Sequence, residues 1–158
     1  TIDDIMASAP VIPVLIVDDV AHAVPIAEAL VGGGLRMLEV TLRTPVALNV
    51  IAAMRTVEGA IVGAGTVLNE ADLDAALAAG SAFIVSPGLT EPLARAAIAA
   101  AFGRVRFCPT GGIGEADVAL WLAERSVACV GGSWVVPKGV PDGATIRANA
   151  VRASALAR

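Results

Sequence analysis

The chain has 158 residues, 56% of them hydrophobic and only 16% charged, with a net charge of −4 and a mean hydropathy of +0.77. This excludes disorder, and with no basic cluster it argues against a nucleic-acid partner. The longest uncharged stretch, 75–90, is 16 residues long and broken by Gly80, Ser81, Ser86, Pro87 and Gly88. A spanning helix needs about 20 apolar residues, so no membrane partner is expected and the apolar excess belongs inside one domain and between subunits.

Short β-branched runs alternate with alanine-rich helical stretches. Residues 11–17 (VIPVLIV) read as a buried strand, followed by a helix over 19–31 that Asp18 or Asp19 caps and Gly32-Gly33-Gly34 stops. Strand 37–42 leads to a helix over 45–57. Strand 60–64 leads to a helix over 70–79 capped by Asn69. Strand 83–85 leads to a helix over 91–100, and strand 105–108 to a helix over 114–125. Strand 127–130 and a closing helix over 144–156 complete six βα units. Strict alternation predicts an all-parallel sheet with helices outside, in a single α/β domain spanning 1–158. A closed (β/α)8 barrel has eight units in about 250 residues, so the chain is two units short.

Glu39 sits between Leu38 and Val40 on a strand, where an acid is costly to bury without a purpose. It reads either as a proton shuttle of raised pKa at the barrel mouth or as a strand-end charge paired with Arg36 or Arg43. Arg43, just past the same strand, is either a bidentate carboxylate clamp or a solvated arginine. The turn Gly63-Ala64-Gly65-Thr66 lets backbone approach a ligand, with the Thr66 hydroxyl as donor. Two glycine pairs, Gly111-Gly112 and Gly131-Gly132 before Ser133, stand in the loops after the last two strands, where barrels commonly hold phosphate. Cys108 and Cys129 lie in apolar runs with no metal-ligand spacing, so no metal is expected. His22 reads as an exposed helix-start residue, and Trp121 and Trp134 as packing or subunit-contact residues. Nothing in the sequence suggests export.

The segments LEVTLRTP (38–45), VGAGTVLN (62–69), FIVSPGLTEPL (83–93), VRFCPTGGI (105–113) and CVGGSWVVP (129–137), with the opening 10–34, resemble the class I aldolases for 2-keto-3-deoxy-6-phosphogluconate (KDPG) of the Entner–Doudoroff pathway. The resemblance implies a cytoplasmic homotrimer of (β/α)8 TIM barrels that needs no cofactor. It implies cleavage of the phosphorylated keto acid to pyruvate and glyceraldehyde 3-phosphate through a lysine Schiff base. By motif, Glu39 is then the general acid/base, Arg43 and Thr66 bind the carboxylate region and Pro87 shapes the pocket. Gly111, Gly112, Gly132 and Ser133 cradle the phosphate. Arg43 favours the gluconate substrate, since the related phosphogalactonate aldolases resemble this turn with an amide in its place. A related aldolase for 4-hydroxy-2-oxoglutarate is an alternative.

One departure stands out. The family's lysine belongs to a Phe-Lys-Phe/Leu-Phe-Pro-Ala motif on the sixth strand, and no such motif occurs here. Residues 98–101 run directly into a lead-in that resembles the family's seventh strand, so family strands 5 and 6 are missing between about 100 and 102. The sole lysine, Lys138, follows the last strand in a Pro137-Lys138-Gly139 turn and reads as solvated. The competing reading is a truncated relative that binds phosphorylated keto acids without covalent chemistry. A barrel resembling thiamine phosphate synthase explains the diglycines and leaves Glu39 and Arg43 unexplained.

Overall fold

The computed structural model describes residues 9–87, 110, 113–123, 129–140 and 142–156. Its strands are β1 (Val11–Leu15), β2 (Met37–Thr41), β3 (Ile61–Gly65) and β4 (Val130–Gly132). Its helices are α1 (Ala23–Gly32), α2 (Ala47–Met54), α3 (Glu70–Ala78), α4 (Val118–Leu122) and α5 (Gly143–Ser154). All strand pairs are parallel, in the order β3-β2-β1-β4. The last strand therefore lies beside the first, as a sheet curling on itself requires.

Side-chain alternation separates two apolar layers. Outward residues such as Val11, Leu15, Leu38, Val40 and Val62 pack under Ile26, Leu30, Val50 and Ile51 of the helices. Inward residues Ile12, Met37, Phe83 and Cys129 form a second, smaller cluster that fills the floor of the sheet's concave side. Gly63 belongs to this inward row, and a Cβ there would meet the Phe83 ring at 2.5 Å.

The expected elements stand with local corrections. β1 ends at Leu15 rather than at Val17. The Thr41 and Thr44 hydroxyls donate to the carbonyls of Leu15 (3.0 Å) and Val17 (2.9 Å), so side chains take over where the ladder stops. Asp19 caps a single 3-10 turn, Val20–His22, and the helix proper starts at Ala23 with Pro25 in its first turn. The 83–85 segment makes one bridge, Ala64 to Ile84, in place of a full strand. It still tracks β3, since Ala82 and Val85 donate to Val62 and Ala64 carbonyls at 2.8 Å each. The last strand runs Val130–Gly132, so the second diglycine is inside the ladder, with Gly131 opposite Ile12 and Gly132 opposite Pro13. The expected helix 91–100 and strand 105–108 lie outside the described residues, as do Cys108, Gly111 and Gly112. Among the described residues no helix is long and apolar enough to cross a membrane.

Candidate active site

The strands point their inward positions at one cavity of about 260 Å³. β1 and its extension contribute Val14 and Ile16, β2 Glu39 and Thr41, and β4 Gly131 followed by Ser133. Arg43, Thr66, Val85, Ser86, Pro87, Thr110 and Ile113 close it from the loops that follow the strands. Loops after parallel strands are where α/β sheets bind ligands.

Glu39 is the buried acid of this cavity, only 3% exposed. Its Oε2 has no hydrogen-bond partner among the described residues. Desolvation raises its pKa from 4.5 to about 7, against a smaller lowering by the Arg43 guanidinium. A carboxyl that titrates near neutrality and has a free lone pair can both accept and return a proton. The ion pair with Arg36 is not made: Arg36 Nε donates to the Gly59 carbonyl at 2.9 Å.

Thr66 has φ 63, the one non-glycine residue with a positive φ among the described residues. For a β-branched side chain this is a strained backbone, and such strain gathers at ligand sites. Arg43 and Pro87 are exposed at the mouth. The structure thus brings together Glu39, Arg43, Thr66 and Pro87, with Ser133 on the facing wall. Gly132 is buried, does not line this cavity, and packs beneath the Trp134 indole, whose Nε1 would lie 2.7 Å from a Cβ placed there. Gly131 takes the cavity position in its stead: a Cβ there would meet the Thr110 methyl at 2.5 Å and Val14 at 3.0 Å.

Thr41 and Thr110 also line the cavity, beyond the residues expected from the sequence. Thr41 was accessible by parity, two residues on from Glu39 on the same strand face. Thr110 has no such signal. A larger cavity of about 840 Å³ adjoins the first and shares Val14, Ile16 and Ser133 with it. Lys138 and His22 line this second space, not the one that holds Glu39. His22 is half-buried there, where the sequence suggested an exposed residue.

Residues 2–99 and 94–149 match the family described as KDPG and KHG aldolase, in two blocks that overlap at 94–99. A 2-dehydro-3-deoxy-phosphogluconate aldolase of Zymomonas mobilis is 46% identical over 201 aligned positions, covering 99% of this chain and 97% of that protein. A KHG/KDPG aldolase of Escherichia coli is 42% identical, covering 85% and 84%. The crystal structure of the Zymomonas mobilis aldolase with 3-phosphoglycerate superimposes with a TM-score of 0.94, covering 99% of this chain and 96% of that one. A Legionella pneumophila KDPG aldolase, captured with pyruvate as a covalent carbinolamine, does so at 0.88 and 32% identity, covering 98% of each chain.

Proposed function

Since this chain belongs to the KDPG and KHG aldolase family, we propose that the Glu39 cavity is the site of a class I aldolase for 2-keto-3-deoxy-6-phosphogluconate, of which these 158 residues carry the binding and proton-transfer half. The observation that carries this reading is the buried Glu39 carboxyl, its Oε2 unpartnered among the described residues, enclosed with Arg43 and Thr66. Cleavage of a 3-deoxy-2-keto acid breaks the C3–C4 bond. The C4 hydroxyl gives up a proton as the aldehyde forms, and C3 of the pyruvate half takes one. Glu39 performs both transfers, since a group poised near pH 7 serves as base and acid in turn. The Arg43 guanidinium grips the substrate carboxylate with the Thr66 hydroxyl, and Pro87 bounds the pocket. By motif the phosphate goes to Gly111, Gly112, Gly132 and Ser133; Ser133 at the cavity wall supports this end, whereas Gly132 is buried away from the cavity and does not. No cofactor takes part. Assembly as a homotrimer in the cytoplasm completes the reading.

The covalent half is a different matter. A Schiff-base lysine must lose its proton near neutral pH, which takes a desolvated position at the reacting carbon. Lys138 is exposed and lines the neighbouring cavity. An alignment of 201 positions against a chain of 158 residues leaves about two βα units without a counterpart. We put that break between about 100 and 102, just past the 94–99 overlap of the two matched blocks. The absence of a cavity lysine favours a second reading for the chain by itself: it binds phosphorylated keto acids and does not cleave them. 4-Hydroxy-2-oxoglutarate and the phosphogalactonate isomer are the competing substrates.

Borohydride reduction in the presence of pyruvate, followed by mass spectrometry, tests this division. The 158-residue chain should bind pyruvate and gain no reduced adduct. A chimaera given the corresponding segment of the Zymomonas mobilis relative at about 100–102 should gain one and release pyruvate from the phosphogluconate substrate. An adduct on the unaltered chain, or a folded chimaera that forms none, would contradict it.

A further inference from the structure

β3 faces Glu39 with a row of missing side chains. The ladder sets Glu39 opposite Gly63 and Thr41 opposite Gly65. A Cβ built on Gly65 would overlap Glu39 Oε1, and would lie 2.8 Å from Cδ and 2.9 Å from Cγ. Gly65 is buried and has no positive φ, so an L-residue fits its backbone and only the space is lacking. The entire end of the Glu39 side chain thus rests on the bare strand of Gly65, below the cavity mouth. Among the described residues, Arg43 is the one other charged side chain lining that cavity, with Thr41, Thr66, Ser86, Thr110 and Ser133 as polar neighbours.

We propose that Gly65 is a positioning residue for Glu39: its missing side chain is the seat that holds the carboxyl inside the cavity rather than at its mouth. The inference deepens the aldolase reading, because a carboxyl displaced by a methyl group no longer points at bound keto acid. The alternative is that Gly65 merely fits the strand, as Gly63 fits the Phe83 ring.

The test is Gly65→Ala, read by the titration of the Glu39 carboxyl in carbon-detected NMR. The side chain should swing toward water, and its titration should fall from about 7 in the parent toward the ordinary 4.5. An unchanged titration overturns the proposal. Should Gly65→Ala fail to fold, the variant is repeated on a Glu39→Ala background. There the methyl meets no carboxylate, so the double variant should melt where Glu39→Ala melts. A double variant that is lost as well places the clash elsewhere and overturns the proposal. Adding pyruvate to the parent separates the two claims. A Glu39 signal that ignores pyruvate removes the keto-acid reading and leaves the result for Gly65 untouched.

Discussion

Burial holds the Glu39 carboxyl at about 7, against 4.5 for an ordinary one, while Arg43 pulls it weakly down. A raised pKa on an acid means that ionisation opposes folding. The neutral-form stability is fully present below 4.5 and is lost as pH rises through 7, a change of about 3 kcal/mol. Glu39→Gln should therefore flatten the melting temperature between pH 4.5 and 7.5 and raise it above the parent at pH 8; calorimetry across that range checks it. Arg43→Ala removes a cation from the mouth, so it should lift the Glu39 titration above 7 and weaken pyruvate binding about tenfold or more in a calorimetric titration. Thr66→Gly relieves the left-handed backbone, which should stabilise the fold by about 1 kcal/mol while lowering affinity for the keto acid. Thermal melts and binding titrations on the same sample would show these effects with opposite sign. Glu39 was legible because an acid between Leu38 and Val40 on a strand contradicts its surroundings. The strain at Thr66 was not, since the GAGT run contains two glycines better suited to that conformation.

At the scale of elements, the helices whose ends carry local signals came out close to their expected limits. Asn69 is the cap of α3: its Oδ1 accepts from the Asp72 N–H at 2.9 Å, and its own backbone is extended. Asn69→Ala should cost about 1 kcal/mol, measured by denaturant unfolding. The Gly32-Gly33-Gly34 triplet was read as a stop signal, which it is. Its other role is tertiary: a side chain at Gly33 would strike Ala150 and sit 2.9 Å from the Arg147 carbonyl, so α5 packs directly on the end of α1. No local pattern carries that contact. The same applies to β4, whose glycines looked like a loop. They are ladder residues whose bareness admits Thr110 and the Trp134 ring.

For the whole molecule, alternation of strands and helices revealed a parallel sheet, and the count of six units revealed that something was missing. The structure adds the adjacency of β1 and β4 and the convergence of inward residues on one cavity. Sequence alone could not show the cavity's partition. Lys138 and Ser133 are close in the chain, yet one lines only the larger space while the other lines both. On the function proposed above, Glu39 as proton shuttle and Arg43 as carboxylate clamp, with no lysine in the same cavity, would hold a keto acid but not activate it. Binding is thus the claim on which every other rests. The most direct test follows the Glu39 carboxyl resonance of the intact chain as pyruvate is added near pH 7. A saturable shift that Arg43→Ala weakens is the predicted result. A resonance that pyruvate leaves in place, in a folded chain whose Glu39 titrates near 7, would contradict the account.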